Sequence, residues 1–231
     1  MANKERCATG VPGFDVLCEG GLVKDSINLL VGNAGAGKTT FLLQFLYNGA
    51  TKFDENGLYV TFEQDKSDLC RTAKLQGMDF DKIIKDGKCD IIKFDPGLSV
   101  KEVQKDLIKR ITKDDIKRIC FDPINIFTID LPKEISIRRQ LYEFLGLLKN
   151  LDVCVLIAGE SDEEDGVGKQ VISEGLTFCK YLSDGVIELF SSGISGSGDR
   201  AVRITKMRMT RHKRGPVGME ITDLGIKVLK N

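Results

Sequence analysis

Residues 27–49 read Ile27-Asn28-Leu29-Leu30-Val31-Gly32-Asn33-Ala34-Gly35-Ala36-Gly37-Lys38-Thr39-Thr40-Phe41-Leu42-Leu43-Gln44-Phe45-Leu46-Tyr47-Asn48-Gly49. Three patterns follow one another in this stretch. Ile27 to Val31 is a short, nearly continuous apolar run, as a strand covered on both faces requires. Gly32 to Thr39 fits the spacing GxxxxGK[ST]. Thr39 to Asn48 places Phe41, Leu42, Phe45 and Leu46 at helical spacing, with Gly49 as a stop. A strand, a glycine loop and a helix in direct succession make a phosphate cradle. Glycines let successive backbone N–H groups curl around phosphate oxygens, and the helix N-terminus adds a favourable dipole. Lys38 brings a point charge to the β- and γ-phosphates, and the Thr39 hydroxyl can ligate Mg2+. Gly32, Asn33, Ala34, Gly35, Ala36, Gly37, Lys38, Thr39 and Thr40 are therefore the expected nucleotide-binding residues, with ATP or ADP and Mg2+ as cofactors.

Outward from this unit the same alternation repeats. Apolar runs at Leu58 to Phe62, Ile91 to Phe94, Arg118 to Asp122, Val153 to Ala158 and Val186 to Phe190 read as further strands. Helices are expected from a capping box at Ser99-Val100-Lys101-Glu102 to about Thr112, from about Ser136 to Asn150, and from about Ile172 to Leu182. Strand then helix, repeated, predicts an α/β fold with a doubly wound, mostly parallel sheet and helices on both faces. Beyond Phe190 the pattern changes. A Ser/Gly loop at 191–198 precedes period-two alternation from Ala201 to Lys206, then short strands near Met219 to Thr222 and Lys227 to Leu229. These predict an antiparallel extension of the sheet. With no interdomain linker or internal repeat, residues 1–231 are expected to form one domain.

Composition narrows the classes. The 231 residues carry 34 basic and 34 acidic side chains, a net charge of zero, which argues against a surface built as a whole for nucleic acid or anionic membrane. No apolar run approaches the roughly eighteen residues a membrane span needs. Seven scattered cysteines without a CxxC pair argue against a disulfide framework, and a single histidine excludes a His-rich metal centre. A cytoplasmic protein is expected. The cysteines at 120 and 154, inside strands, read as small buried hydrophobes.

Two carboxylates fall where phosphate chemistry needs them. Asp122 ends the apolar strand Arg118-Ile119-Cys120-Phe121-Asp122 and is expected in the Mg2+ shell beside Thr39. Glu63 ends Tyr59-Val60-Thr61-Phe62-Glu63-Gln64, where it could orient and deprotonate an attacking water or be a solvated strand-end residue.

Thr9-Gly10-Val11-Pro12-Gly13-Phe14-Asp15, Gly20-Gly21-Leu22, the glycine loop and Gln44-Phe45-Leu46-Tyr47-Asn48-Gly49 together resemble the KaiC-type branch of RecA-like ATPases. Leu182 to Ile187, Lys206 to His212 and Ile221 to Ile226 resemble its C-terminal half. The resemblance implies a RecA-like core and a homo-oligomeric ring, commonly a hexamer, with nucleotide between neighbouring subunits. It assigns the catalytic glutamate to Glu63. Lys206 and Arg208 match the basic pair that reaches a neighbour's γ-phosphate, and His212 and Asp223 match positions approaching the neighbour's nucleotide. Gly159-Glu160 matches a polar residue and Glu facing the site.

Two departures bear on rate. The family's second adjacent glutamate is Gln64 here, and the Ser that often follows the magnesium-binding Asp is Pro123. A slow, regulatory ATPase with an unknown protein partner is the expected function. The alternatives are an ATP-gated binding module with negligible hydrolysis and a recombinase-like DNA-binding ATPase. Against DNA stands the acidic run Ser161-Asp162-Glu163-Glu164-Asp165, whereas residues 200–214 hold seven basic side chains and no acidic one. That basic run is read as subunit interface. A single such domain does not imply the autokinase activity of a clock protein.

Overall fold

The structure, a computed structural model, describes residues 5–95, 98–123, 134–163, 170–171, 174–191 and 199–229. In chain order the elements are β1 (Arg6–Cys7), a 3-10 turn (Asp15–Cys18), β2 (Leu22–Val23), β3 (Ile27–Gly32), α1 (Lys38–Lys52), β4 (Asn56–Thr61), α2 (Lys66–Lys74), α3 (Phe80–Lys85), β5 (Cys89–Lys93) and α4 (Val100–Lys113). There follow β6 (Ile116–Asp122), α5 (Glu134–Lys149), β7 (Cys154–Glu160), β8 (Asp162–Glu163), β9 (Gln170–Val171), α6 (Glu174–Leu182), β10 (Gly185–Ser191), β11 (Arg200–Met207), β12 (Val217–Thr222) and β13 (Gly225–Val228).

Nine strands form one sheet in the order β13-β12-β11-β10-β3-β7-β6-β4-β5. From β10 to β5 every pairing is parallel, and β11, β12 and β13 add on antiparallel. The expected doubly wound sheet with its antiparallel extension is what forms. Alternation along the strands divides the core into two layers. Leu30, Tyr59, Cys120 and Leu156 pack under α1 with Phe41, Leu42, Phe45 and Leu46. Leu29, Leu58, Val60, Ile119, Phe121 and Val155 face α4 and α5, meeting Val103, Leu107, Phe144 and Leu148. Cys120 and Cys154 are buried in strands as free thiols; burial pushes Cys120 well above the ordinary thiol value, and a hydrogen bond with Cys7, then burial, does the same for Cys154.

Several local expectations are corrected. Helix α1 does not stop at Gly49 but runs on to Lys52. Gly49 is small for another reason: a Cβ there would lie 2.5 Å from Arg118 Cδ. The Arg118 side chain is 1% exposed, donates from Nε to Glu55 at 2.5 Å and from NH1 to the Phe45 carbonyl at 3.0 Å, and lies over the Phe45 ring. Helices α2 and α3, with mostly charged surfaces and only Leu69, Ala73, Phe80 and Ile83 buried, escaped the sequence reading. The capping box at Ser99 is present, Ser99 accepting from the Glu102 N–H while the Glu102 carboxylate accepts from the Ser99 N–H. The Ser/Gly loop beyond Ser191, the start of the helix expected from Ile172, and Glu164-Asp165 of the acidic run lie outside the described residues.

Candidate phosphate and metal site

At the C-terminal edge of the parallel sheet, adjacent strand ends deliver adjacent functional groups. Gly32, the last residue of β3, pairs with Glu160 on β7, and Thr61 of β4 pairs with Asp122 of β6. Between β3 and α1 the loop turns so that Ala34 and Gly35 form its exposed tip. Gly37 sits in the left-handed region at φ 98°, and a Cβ on it would come within 2.9 Å of Ile221 Cδ1. The loop therefore needs glycine here both for its turn and for the packing of β12. Helix α1 starts with no side-chain cap, so its first N–H groups remain directed at the loop.

The loop's own groups hold its cation. Lys38 Nζ donates to the Gly32 carbonyl at 2.7 Å and to the Asn33 carbonyl at 2.9 Å, closing the loop on itself. Burial lowers the Lys38 ammonium from its ordinary value, and Glu160 and Asp122 oppose that shift. Asn33 donates from Nδ2 to the Ser191 carbonyl at 3.3 Å, tying the loop to β10. The Thr39 hydroxyl donates to Asp122 Oδ2 at 2.9 Å, bringing the two expected metal-binding residues together. Thr40 behaves differently: it is buried, and its hydroxyl accepts from Gln76 Nε2 at 3.2 Å.

A hydroxyl and a carboxylate this close are the hard oxygen donors Mg2+ takes, one or two from protein and the rest from phosphate and water. Among the described residues no group of three or more His, Cys, Asp or Glu side chains could hold a metal. The Thr39 hydroxyl and the Asp122 carboxylate, hydrogen-bonded to each other, fit Mg2+ held in that way.

Glu63 follows β4 and is exposed to solvent at the same edge. Thr61 shapes the turn, its hydroxyl oxygen accepting from the Glu63 N–H at 3.3 Å and the Gln64 N–H at 3.1 Å. The Glu63 carboxyl is raised above its ordinary value by partial burial, then by the negative charges of Asp122 and Glu160. Glu63, Asp122, Glu160 and Lys38 thus share one electrostatic neighbourhood.

The C-terminal candidates lie elsewhere. Lys206 pairs in register with Val186, beside Gly185, which pairs with Asn28 near the start of β3. This is the sheet edge opposite the loop. Lys206 Nζ donates to the carbonyls of Lys180 (3.0 Å), Tyr181 (3.0 Å) and Ser183 (2.6 Å), capping the C-terminus of α6. Arg208 NH1 donates to Asp184 Oδ1 at 3.3 Å. His212 is partly exposed beside Lys213, whose N–H bonds the Leu17 carbonyl of the 3-10 turn. Within one chain, then, Lys206 and Arg208 do not meet the phosphate loop. Asp223 is exposed in the turn between β12 and β13, its carbonyl facing Gly77, while Ile221 of β12 packs on Gly37.

One structural residue was passed over in the sequence. Gln44, buried on α1, accepts from the Ile226 N–H at 2.7 Å and donates to the Ile226 carbonyl at 3.1 Å, pinning the β12–β13 hairpin beside the loop. A polar residue amid the apolar stripe of α1 was the available signal.

The chain matches the family described as "ATPase: KaiC" over residues 7–231. It is 31% identical to the circadian clock oscillator protein KaiC of Nostoc sp., over 97% of this chain and 44% of that protein. It is also 31% identical to the KaiC of Synechococcus elongatus, over 95% of this chain and 43% of that protein. The chain thus spans less than half the length of these curated relatives. Among solved structures, a KaiC-like protein from the archaeon Pyrococcus horikoshii superposes with a TM-score of 0.85 at 33% identity, covering 98% of this chain and 100% of that one. The family match, the identity to these relatives and the superposition agree, and the chain belongs to the KaiC family of ATPases.

Proposed function

We propose that this chain binds ATP and ADP with Mg2+ at the loop of residues 32–40 and hydrolyses ATP slowly, as one domain of a homo-oligomeric, cytoplasmic, regulatory ring, a hexamer by family pattern. The observation that carries the reading is the convergence of Lys38, Thr39, Asp122 and Glu63 on one edge of the sheet. Backbone N–H groups of the loop and Lys38 bind the phosphates. Thr39 and Asp122 would hold Mg2+, which supplies charge neutralisation at the phosphoryl oxygens. Glu63 orients the attacking water and takes its proton. Lys206, Arg208 and His212 lie away from their own loop, as groups completing a neighbour's site would. Asp223, exposed at the β12–β13 turn, would with His212 approach a neighbour's nucleotide. A protein partner would read the nucleotide state.

Four of the seven basic side chains of residues 200–214 have partners within the subunit, which leaves less charge open to a nucleic-acid backbone. Arg203 pairs with Glu188 at 2.6 Å and Arg200 with Asp199 at 3.4 Å. Lys206 and Arg208 are engaged as described above. Among the described residues no helix is long and apolar enough to cross a membrane.

The test is Mg2+-dependent phosphate release per subunit across a wide range of protein concentration. Specific activity should rise with concentration and then saturate, because a lone subunit lacks its neighbour's cations. Gln64 in place of a second carboxylate favours one other reading, the ATP-gated binding module. Stoichiometric ATP binding with no phosphate release at any concentration would select that module and remove the enzyme assignment.

A further inference from the structure

Tyr59 lies at the middle of β4, in register with Cys120 of β6, two residues before Thr61 and its partner Asp122. Strand alternation puts Tyr59 on the α1 side of the sheet. Its side chain is 0% exposed, yet its hydroxyl donates to Asp122 Oδ2 at 2.5 Å, the same oxygen that accepts from Thr39. We propose that Tyr59 is a positioning residue for the cation: from within the core its hydroxyl fixes Oδ2 of Asp122 and so holds the carboxylate in place for the metal's coordination shell. The inference rests on the metal site of the proposed function.

Three features make a donor at this place matter. Glu63 feels the negative charges of both Asp122 and Glu160, so like charge is concentrated where Asp122 has to be held. The next residue is Pro123, which has no N–H with which to hold the carboxylate. Finally, the Thr39 hydroxyl that bonds Asp122 is itself expected to ligate Mg2+, whereas Tyr59 supplies Asp122 with a donor that has no ligand duty. Partners of this kind, behind a metal-binding side chain, typically change metal affinity by about 10- to 100-fold when removed.

The experiment compares wild type with Tyr59→Phe, which keeps the ring and deletes the hydroxyl. Binding of Mn2+ to the protein–ADP complex is followed by electron paramagnetic resonance, binding of ADP without divalent metal by calorimetry, and thermal midpoint alongside. The expected result is Mn2+ affinity weakened about 10- to 100-fold in Tyr59→Phe, with metal-free ADP affinity within about twofold of wild type. A buried hydroxyl that merely satisfies itself would lower the thermal midpoint and leave Mn2+ affinity unchanged, and that outcome overturns the inference. If wild type itself shows no ADP-dependent Mn2+ binding, the metal site of the proposed function fails, and this inference with it. Should Tyr59→Phe not fold, wild type labelled with 3-fluorotyrosine replaces it. One of its four tyrosine 19F resonances should move when Mg2+ is added to the ADP complex. No movement would again overturn the role.

Discussion

Arg208 and Lys206 show how one expectation divides into two at the scale of single residues. Both are assigned to a neighbour's γ-phosphate, but their present commitments differ. Lys206 uses its ammonium on three carbonyls at the end of α6, whereas the Arg208 side chain is half exposed and holds one ion pair with Asp184. Lys206→Ala should therefore cost about 1–2 kcal/mol of stability, while Arg208→Ala should cost less than about 1 kcal/mol. If both reach a neighbour, both lose turnover, and urea unfolding separates the two contributions. Equal stability of the two variants would contradict the capping role of Lys206.

Glu63 gives a second prediction at this scale. Its carboxyl is held above the ordinary 4.5 by partial burial and by Asp122 and Glu160. A general base acts only when deprotonated, so a raised value means that activity is lost earlier as pH falls. Turnover should show an acid limb with its midpoint above 4.5, and Glu160→Gln should move that limb to lower pH by removing one negative charge. A pH–rate profile at saturating ATP measures both, and a limb unmoved in the variant would remove Glu160 from the site's electrostatics.

Among the elements, the glycine loop and the strand ends were legible in sequence because their patterns are local: an apolar run, a fixed glycine spacing, a carboxylate closing a strand. Lys38, Thr39 and Asp122 could be placed from those patterns, whereas Glu63 stood open between a base and a solvated strand-end residue until the family resemblance assigned it. What escaped depends on contacts between distant segments. Helices α2 and α3 bury too few residues to show a stripe, and Gly49 reads as a helix stop until Arg118 is seen to fill the space beside it. Tyr59 looks like an ordinary strand aromatic until its partner across β6 is known. Gly49→Ala tests the packing account. The added methyl would lie 2.5 Å from Arg118 Cδ, so the variant should lose about 1–3 kcal/mol by chemical denaturation although alanine favours a helix. A stabilised variant would return Gly49 to a propensity role.

The β12–β13 hairpin makes the same point for assembly of the site. Gln44 satisfies both backbone groups of Ile226, and Ile221 closes on Gly37. Gln44→Leu leaves those buried groups unpaired and should cost about 2–4 kcal/mol, with weaker nucleotide binding because the loop loses its backing. Retained stability and retained ADP affinity would show the hairpin to be independent of the loop.

For the whole molecule, the central claim is that no subunit carries a complete site: Glu63 stands beside the loop, while Lys206 and Arg208 stand at the opposite edge of the sheet. In the proposed ring a head-to-tail interface would repeat that pairing from subunit to subunit. The most direct test mixes two variants, Glu63→Gln and Arg208→Ala, each inactive alone, after dissociation and reassembly together. Where an Arg208→Ala subunit keeps Glu63 and its neighbour keeps Arg208, one intact site forms. Random mixing should restore about a quarter of wild-type phosphate release. A mixture no more active than its components, with oligomers of wild-type mass, would contradict a site shared between subunits.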